Sequence, residues 1–148
     1  MVVEIFDISD AVRLRAACAI RTSVFVDEQG VPPEEELDEH DRSDPAAVHV
    51  LARDPSGKPV GTGRYYVTEA STVRIGRMAV VASERGRGIG ARILGALVDE
   101  ARRRGFSRAD LHAQTHALAF YIKAGFYEDG EELWDAGIRH QPMTRKLA

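Results

Sequence analysis

Cysteine is almost absent from this chain. Cys18 is the only one, so no internal disulfide can form, and the composition fits a reducing compartment. At helical spacing from Leu14, Cys18 reads as a small core residue rather than a nucleophile. Long apolar runs are missing too: nothing approaches the roughly 18 residues that a bilayer-spanning helix needs. The opening "MVVEIFDISD" has neither the basic start nor the apolar core of a secretory signal. A cytoplasmic protein with no membrane partner is expected. No Gly-Lys-Ser or Gly-Lys-Thr occurs, which excludes a nucleoside-triphosphate loop. With a net charge of -3, the chain has no general attraction for nucleic acid. Repeats, low-complexity tracts and flexible linkers are also lacking, and 148 residues suit one compact domain spanning 1–148.

What is present alternates between strand and helix patterns. "VVEIFDI" has strand composition, and Ser9-Asp10 caps a helical pattern expected to run to about residue 29 with one break. "GVPPEEELDEHDRSDP" combines two prolines with dense acids and is expected to be a structured loop. Two strands, "AAVHVLARD" and "PVGTGRYYVTE", flank the turn residues Asp54 to Lys58 and pair antiparallel; "STVRIGRMAVV" follows them. Ile89, Ile93, Leu94, Leu97 and Ala101 then recur at helical spacing up to Gly105. "FSRADLHAQ" is a strand, "THALAFYIKA" a short helix, and the remainder a closing strand pair. The order βα(α)βββαβαββ predicts an α+β fold, a mixed sheet with helices on its faces.

Charge is placed unevenly. Asp27 to Asp44 carries nine carboxylates against Arg42 alone, whereas Arg85 to Arg108 carries seven arginines against Asp99 and Glu100. Each block taken alone is an ordinary solvated face. Together they point to one site for a polyanion and another for something cationic.

The polyanion site centres on Gly86-Arg87-Gly88-Ile89-Gly90. These letters satisfy both a dinucleotide fingerprint, Gly-x-Gly-x-x-Ala, and an Arg-x-x-Gly-x-Gly phosphate loop. In either reading, glycines permit a tight turn and N–H groups at a helix N-terminus face a negative ligand. A dinucleotide fold usually opens with its loop and adds several βα units after it, whereas here only two short units follow. A pyrophosphate held by Arg85, Gly86, Arg87, Gly88, Ile89, Gly90 and Ala91 is the reading that the context favours.

"MAVVASERGRGIGARIL" resembles motif A of the GNAT superfamily of N-acetyltransferases, and "AQTHALAFYIKAGF" resembles motif B, with Thr115 and His116 where many members have Asn. The whole chain is similar to the ElaA-like/YjcF-like branch through "RTSVFVDEQGVPPEEELDEHD" and "DAGIRHQPM". The resemblance implies a GNAT-like acyl-CoA N-acyltransferase fold, with a splayed mixed sheet of about seven strands. It also implies acetyl-CoA as co-substrate, an amine acceptor, direct attack without a covalent enzyme intermediate, and no metal. Met78, Ala79 and Val80 would pair through their backbone with the pantetheine arm, and an N–H there would polarise the thioester carbonyl. Tyr121, at the motif B tyrosine, is implied as the general acid. Glu28 and His140 are the candidate bases for the amine proton, and Glu28, Gln29 and Asp38 lie on the acceptor side. A non-catalytic acyl-CoA-binding module is the alternative function. The oligomer is expected to be a monomer or homodimer.

Overall fold

The computed structural model describes residues 1–147. Eight strands form one sheet in the order β1-β2-β3-β4-β5-β8-β6, with β7 also paired to β8. After β1 (Val2–Phe6) comes α1 (Ala11–Arg21), capped by the Asp10 carboxylate on the Arg13 N–H. It runs directly into a wider π-helical turn, Thr22–Glu28, which is the break expected within the first helical region. Then β2 (Val48–Arg53), β3 (Pro59–Glu69) and β4 (Thr72–Val80) meander antiparallel. β4 crosses to the parallel strand β5 (Arg108–Gln114) through α4 (Ile89–Arg103). After α5 (Leu118–Lys123) the chain closes with β6 (Tyr127–Glu128), β7 (Leu133–Asp135) and β8 (Ile138–Lys146). Three strands, the short β6 and β7 and the long β8, therefore stand where two were expected. No helix among the described residues is long and apolar enough to cross a membrane.

The acidic segment is more regular than expected. It holds two single-turn helices, α2 (Pro33–Glu36) and α3 (Glu39–Arg42). Pro33 takes the first helical position, where no N–H is required, and Asp38 caps α3 in a reciprocal capping box with Asp41. The residues that argued against a helix interior are the ones that start these helices.

Each face of the sheet has its own apolar layer. On one, Ile93, Leu94 and Leu97 of α4 are buried against Val50, Val60, Ile75 and Leu111; each such side chain contributes about 1.5–3 kcal/mol. On the other, Ala17 and Ile20 of α1 pack with Val24 on Phe6, Leu51 and Ala79. Gly61 and Gly63 in β3 bring α4 onto the strand, since a Cβ at either would lie 2.7 or 2.8 Å from an Ile93 methyl carbon. Cys18 is only half-buried, and burial pushes its thiol pKa up, away from a reactive thiolate.

The sheet opens at one place. β4 pairs with β5 only from Thr72 to Ile75, opposite Arg108 to Leu111. Just beyond, Arg77 takes a left-handed backbone conformation (φ 50), and the β3–β4 register slips between Thr62 and Arg64. A non-glycine residue with positive φ costs about 1–2 kcal/mol, and here it kinks the strand. From Gly76 to Val80, β4 keeps β3 on one side and has no strand on the other among the described residues. β5 meanwhile stays paired with β8 along its whole length, from Arg108 opposite Lys146 to Gln114 opposite His140.

Candidate active site

A cavity of about 690 Å³ passes through this opening. Its walls are the free edge of β4, the π-helical turn, α2, the end of β5, α5 and the β7–β8 hairpin. A second cavity of about 740 Å³ shares Val80, Arg85, Gly90 and Phe120 with it and continues over the start of α4. One passage therefore runs from the acidic helices to a helix N-terminus.

At that N-terminus Gly86 and Gly88 both have φ 80, a conformation that costs glycine little. The first helical bond of α4 is from the Arg92 N–H to the Gly88 carbonyl, so the N–H groups of Ile89, Gly90 and Ala91 have no helical partner among the described residues, and the helix dipole favours an anion there. The Phe120 ring closes over Gly90, where an added Cβ would meet it at an ordinary contact distance of 3.5 Å. The expected loop, Arg85 to Ala91, is thus shaped as an anion cradle. Lys123 and Arg145 also line this end. Neither was apparent from the sequence, because they come from α5 and β8, 32 residues or more beyond Ala91.

Arg85 faces the other way as well. Its Nε donates to the Val80 carbonyl at 3.0 Å, and Nη2 lies 2.8 Å from the Glu28 carboxylate. Glu28, the first candidate base, is therefore the ion-pair partner of Arg85 at the start of the glycine loop. Gln29 exchanges amide hydrogen bonds with Gln114, at 2.9 and 3.3 Å, tying the π-helical turn to the end of β5.

Tyr121 projects from α5 into the cavity, with its hydroxyl 3.9 Å from the Met78 sulfur. Loss of solvation pushes its pKa up to about 12. His140 lies buried on β8 and also lines the cavity. Its Nδ1 is 2.8 Å from the Ile138 carbonyl. A carbonyl only accepts, so Nδ1 carries the hydrogen and the neutral ring keeps its lone pair on Nε2.

Three carboxylates of the acidic segment, Glu36, Asp38 and Asp41, are neutralised from within the fold, a partnership the sequence conceals. Arg21 donates to Glu36 Oε1 at 2.9 Å and to Asp41 at 2.7 and 2.9 Å. Arg64 binds Asp38 at 2.6 and 2.7 Å and Asp41 at 2.9 Å. Arg77 donates to the Glu36 and Glu35 carbonyls at 3.2 and 3.3 Å and stands 3.5 Å from the Glu36 and Asp38 carboxylates. Burial alone would raise the pKa of Asp41, but the hydrogen bonds and charge of Arg21, with the charge of Arg64, hold it well below the usual range. Asp38 is lowered in the same way, burial being outweighed by Arg64. Two atoms of this network, Glu36 Oε2 and Arg64 Nε, are buried without a hydrogen-bond partner. Among the described residues no group of three His, Cys, Asp or Glu is arranged to hold a metal ion.

The passage combines an anion cradle, an unpaired strand edge, a protonated phenol and an imidazole with a free lone pair. Residues 21–147 match the acetyltransferase (GNAT) domain family. A protein of Bacillus subtilis (strain 168) named "uncharacterized N-acetyltransferase YjcF" is 39% identical over 134 residues, covering 90% of this chain and 92% of that one. Among solved structures, an acyl-CoA N-acyltransferase from Pseudomonas aeruginosa superposes with a TM-score of 0.85 at 26% identity, covering 98% of this chain and 99% of the other. Escherichia coli ElaA has the same fold, with a TM-score of 0.84 at 24% identity over 97% and 98% of the two chains.

Proposed function

This chain belongs to the GNAT acetyltransferase family and is an acetyl-CoA-dependent N-acetyltransferase; we propose that its acceptor is a primary amine, with Tyr121 as the acid and His140 as the base. The observation that carries this reading is the unpaired edge of β4 lying between the anion cradle and the two proton-handling side chains.

The glycine loop from Arg85 to Ala91 holds the pyrophosphate, and the backbone of Met78, Ala79 and Val80 pairs with the pantetheine arm as an added strand would. An N–H of the same segment stabilises the oxyanion formed on attack. An ammonium acceptor is mostly protonated at pH 7, and freeing it costs about 4–5 kcal/mol. His140 Nε2 takes that proton. The freed amine attacks, the new N–C bond forms, the C–S bond breaks and Tyr121 gives its proton to the sulfur. The second proton of the attacking nitrogen passes through solvent to the Tyr121 phenolate, leaving the one net proton on His140. A phenol with a pKa of about 12 keeps that proton at neutral pH, and the desolvation that raises it also raises a thiolate in the same cavity. Support for His140 over Glu28 is that Arg85 holds the Glu28 carboxylate, whereas among the described residues His140 Nε2 has no hydrogen-bond partner.

The test is a screen of primary amines (polyamines, amino sugars, amino acids and peptide N-termini) with thiol release as the readout. Release with at least one of them, lost in Tyr121→Phe, is the expected result. Tight CoA binding with no amine accepted would sink the proposal.

A further inference from the structure

Glu36, Asp38 and Asp41 are set apart from the exposed carboxylates of the acidic segment. Arg21, Arg64 and Arg77 oppose Glu36, Asp38 and Asp41, three charges of each sign, and Asp38 and Asp41 spend both their oxygens on this network. Glu36 differs. Its Oε1 and its backbone carbonyl are taken by Arg21 and Arg77, while Oε2 is buried and has no partner. The residue is 3% exposed and lines the cavity.

A buried charged oxygen left without a hydrogen bond keeps an uncompensated desolvation cost, and a cationic ligand would relieve it. Arg64 Nε and Arg74 Nε are the other unpartnered atoms on cavity-lining residues, but Arg74 pairs with Asp110 at 3.6 Å, and the Arg64 guanidinium already makes three charged hydrogen bonds through its terminal nitrogens. The missing bond is one donor of five there, against an entire anionic oxygen on Glu36. The other charges facing the cavity favour a cation at Glu36. Of the four arginines that line it, Arg85 is matched by Glu28, Arg64 by Asp38 and Arg74 by Asp110, and Arg77 stands 3.5 Å from the Glu36 and Asp38 carboxylates. Glu35, beside Glu36, lines the cavity with no ion-pair partner among the described residues. The site also lies next to the chemistry. The same Arg77 guanidinium that touches Glu36 belongs to the residue whose backbone kinks β4 immediately before Met78.

From this geometry we infer that Glu36 Oε2 receives a second cationic group of the acceptor, which makes the preferred substrate a diamine or polyamine rather than a simple amine or an amino acid. The inference rests on the acetyl-transfer reading of the cavity. One amino group attacks the thioester while the other, not acetylated, is held as an ammonium by Glu36.

Three acceptors with the same four-carbon chain separate the possibilities: n-butylamine, 1,4-diaminobutane and 4-aminobutyrate, whose far ends are neutral, cationic and anionic. Calorimetric binding to the CoA-loaded protein is expected to favour 1,4-diaminobutane over n-butylamine by at least tenfold. In Glu36→Gln the ratio should fall toward one, with the CoA affinity and the CoA-induced rise in melting temperature retained. Equal binding of the amine and the diamine, tighter binding of 4-aminobutyrate, an unchanged ratio in Glu36→Gln, or no binding by any of the three overturns the inference while leaving acetyl transfer standing. Should Glu36→Gln not fold, the ranking by the parent protein decides the matter alone. Absence of CoA binding by the parent overturns the acetyl-transfer reading itself, and this inference with it.

Discussion

The hydroxyl of Tyr121 stands 3.9 Å from the sulfur of Met78, so the phenol is held against the strand segment where β4 parts from β5. It is positioned by packing, edge-on against Phe120 and Phe126.

Tyr121→Phe keeps the ring and removes only the proton. Turnover should fall by about 10²-fold or more, with CoA affinity unchanged. Since burial raises the phenol to about 12, the parent should show no alkaline loss of activity attributable to Tyr121 below about pH 11. A variant whose turnover equals the parent's from pH 6 to 10 would make Tyr121 a packing residue.

His140→Ala removes the proposed acceptor of the amine proton. The rate should drop by at least tenfold at pH 7, and the deficit should shrink as pH rises toward a substrate pKa of about 10.4, because solvent then supplies the free amine. A deficit that stays constant across this range assigns His140 to structure instead.

Gly88→Asp should abolish the rise in melting temperature caused by acetyl-CoA. It places a carboxylate in the anion cradle and forces a side chain onto a φ of 80. Gly88→Ala separates the two effects, since it carries the strain of about 1–2 kcal/mol without the charge and should retain part of the rise. Stabilisation by a nicotinamide dinucleotide in place of the coenzyme would contradict the assignment of the loop.

Arg21→Met leaves Glu36 and Asp41 buried without their shared cation, and unfolding should become easier by about 3–5 kcal/mol. The parent should also lose stability in acid. Asp41 and Asp38 have folded pKa values below those of the unfolded chain. Their contribution is therefore fully present above about pH 4 and is lost as pH falls through the folded values. Denaturant titrations at pH 7, 5 and 3 check the sign; stability that stays flat down to pH 3 would exclude it.

Much of the framework was legible because it is local. Ile89, Ile93, Leu94 and Leu97 declare α4 by their spacing, and Gly86 to Gly90 declares a loop at its start. What lay hidden depends on contacts distant in sequence. The carboxylates of Asp38 and Asp41 resemble a cation-attracting surface until the fold brings in Arg21 from α1 and Arg64 from β3. Arg77 gives no sign of its left-handed backbone, since turn chemistry points to glycine, and Gly76 next to it does not have a positive φ. The two prolines before the acids were weighed as helix breakers, whereas the first helical position tolerates proline.

The kink at Arg77 has an evolutionary consequence. Under the proposed reading, the donor half of the reaction is recognised by main-chain N–H and C=O groups of Gly76 to Val80, which every residue type except proline supplies in full. Mutation can reshape that wall but rarely erases it. The acceptor half is written in side chains from separate segments, such as Glu36, Gln29 and His140, each replaceable on its own. Descendants of this chain are therefore free to exchange one amine for another while inheriting the same thioester.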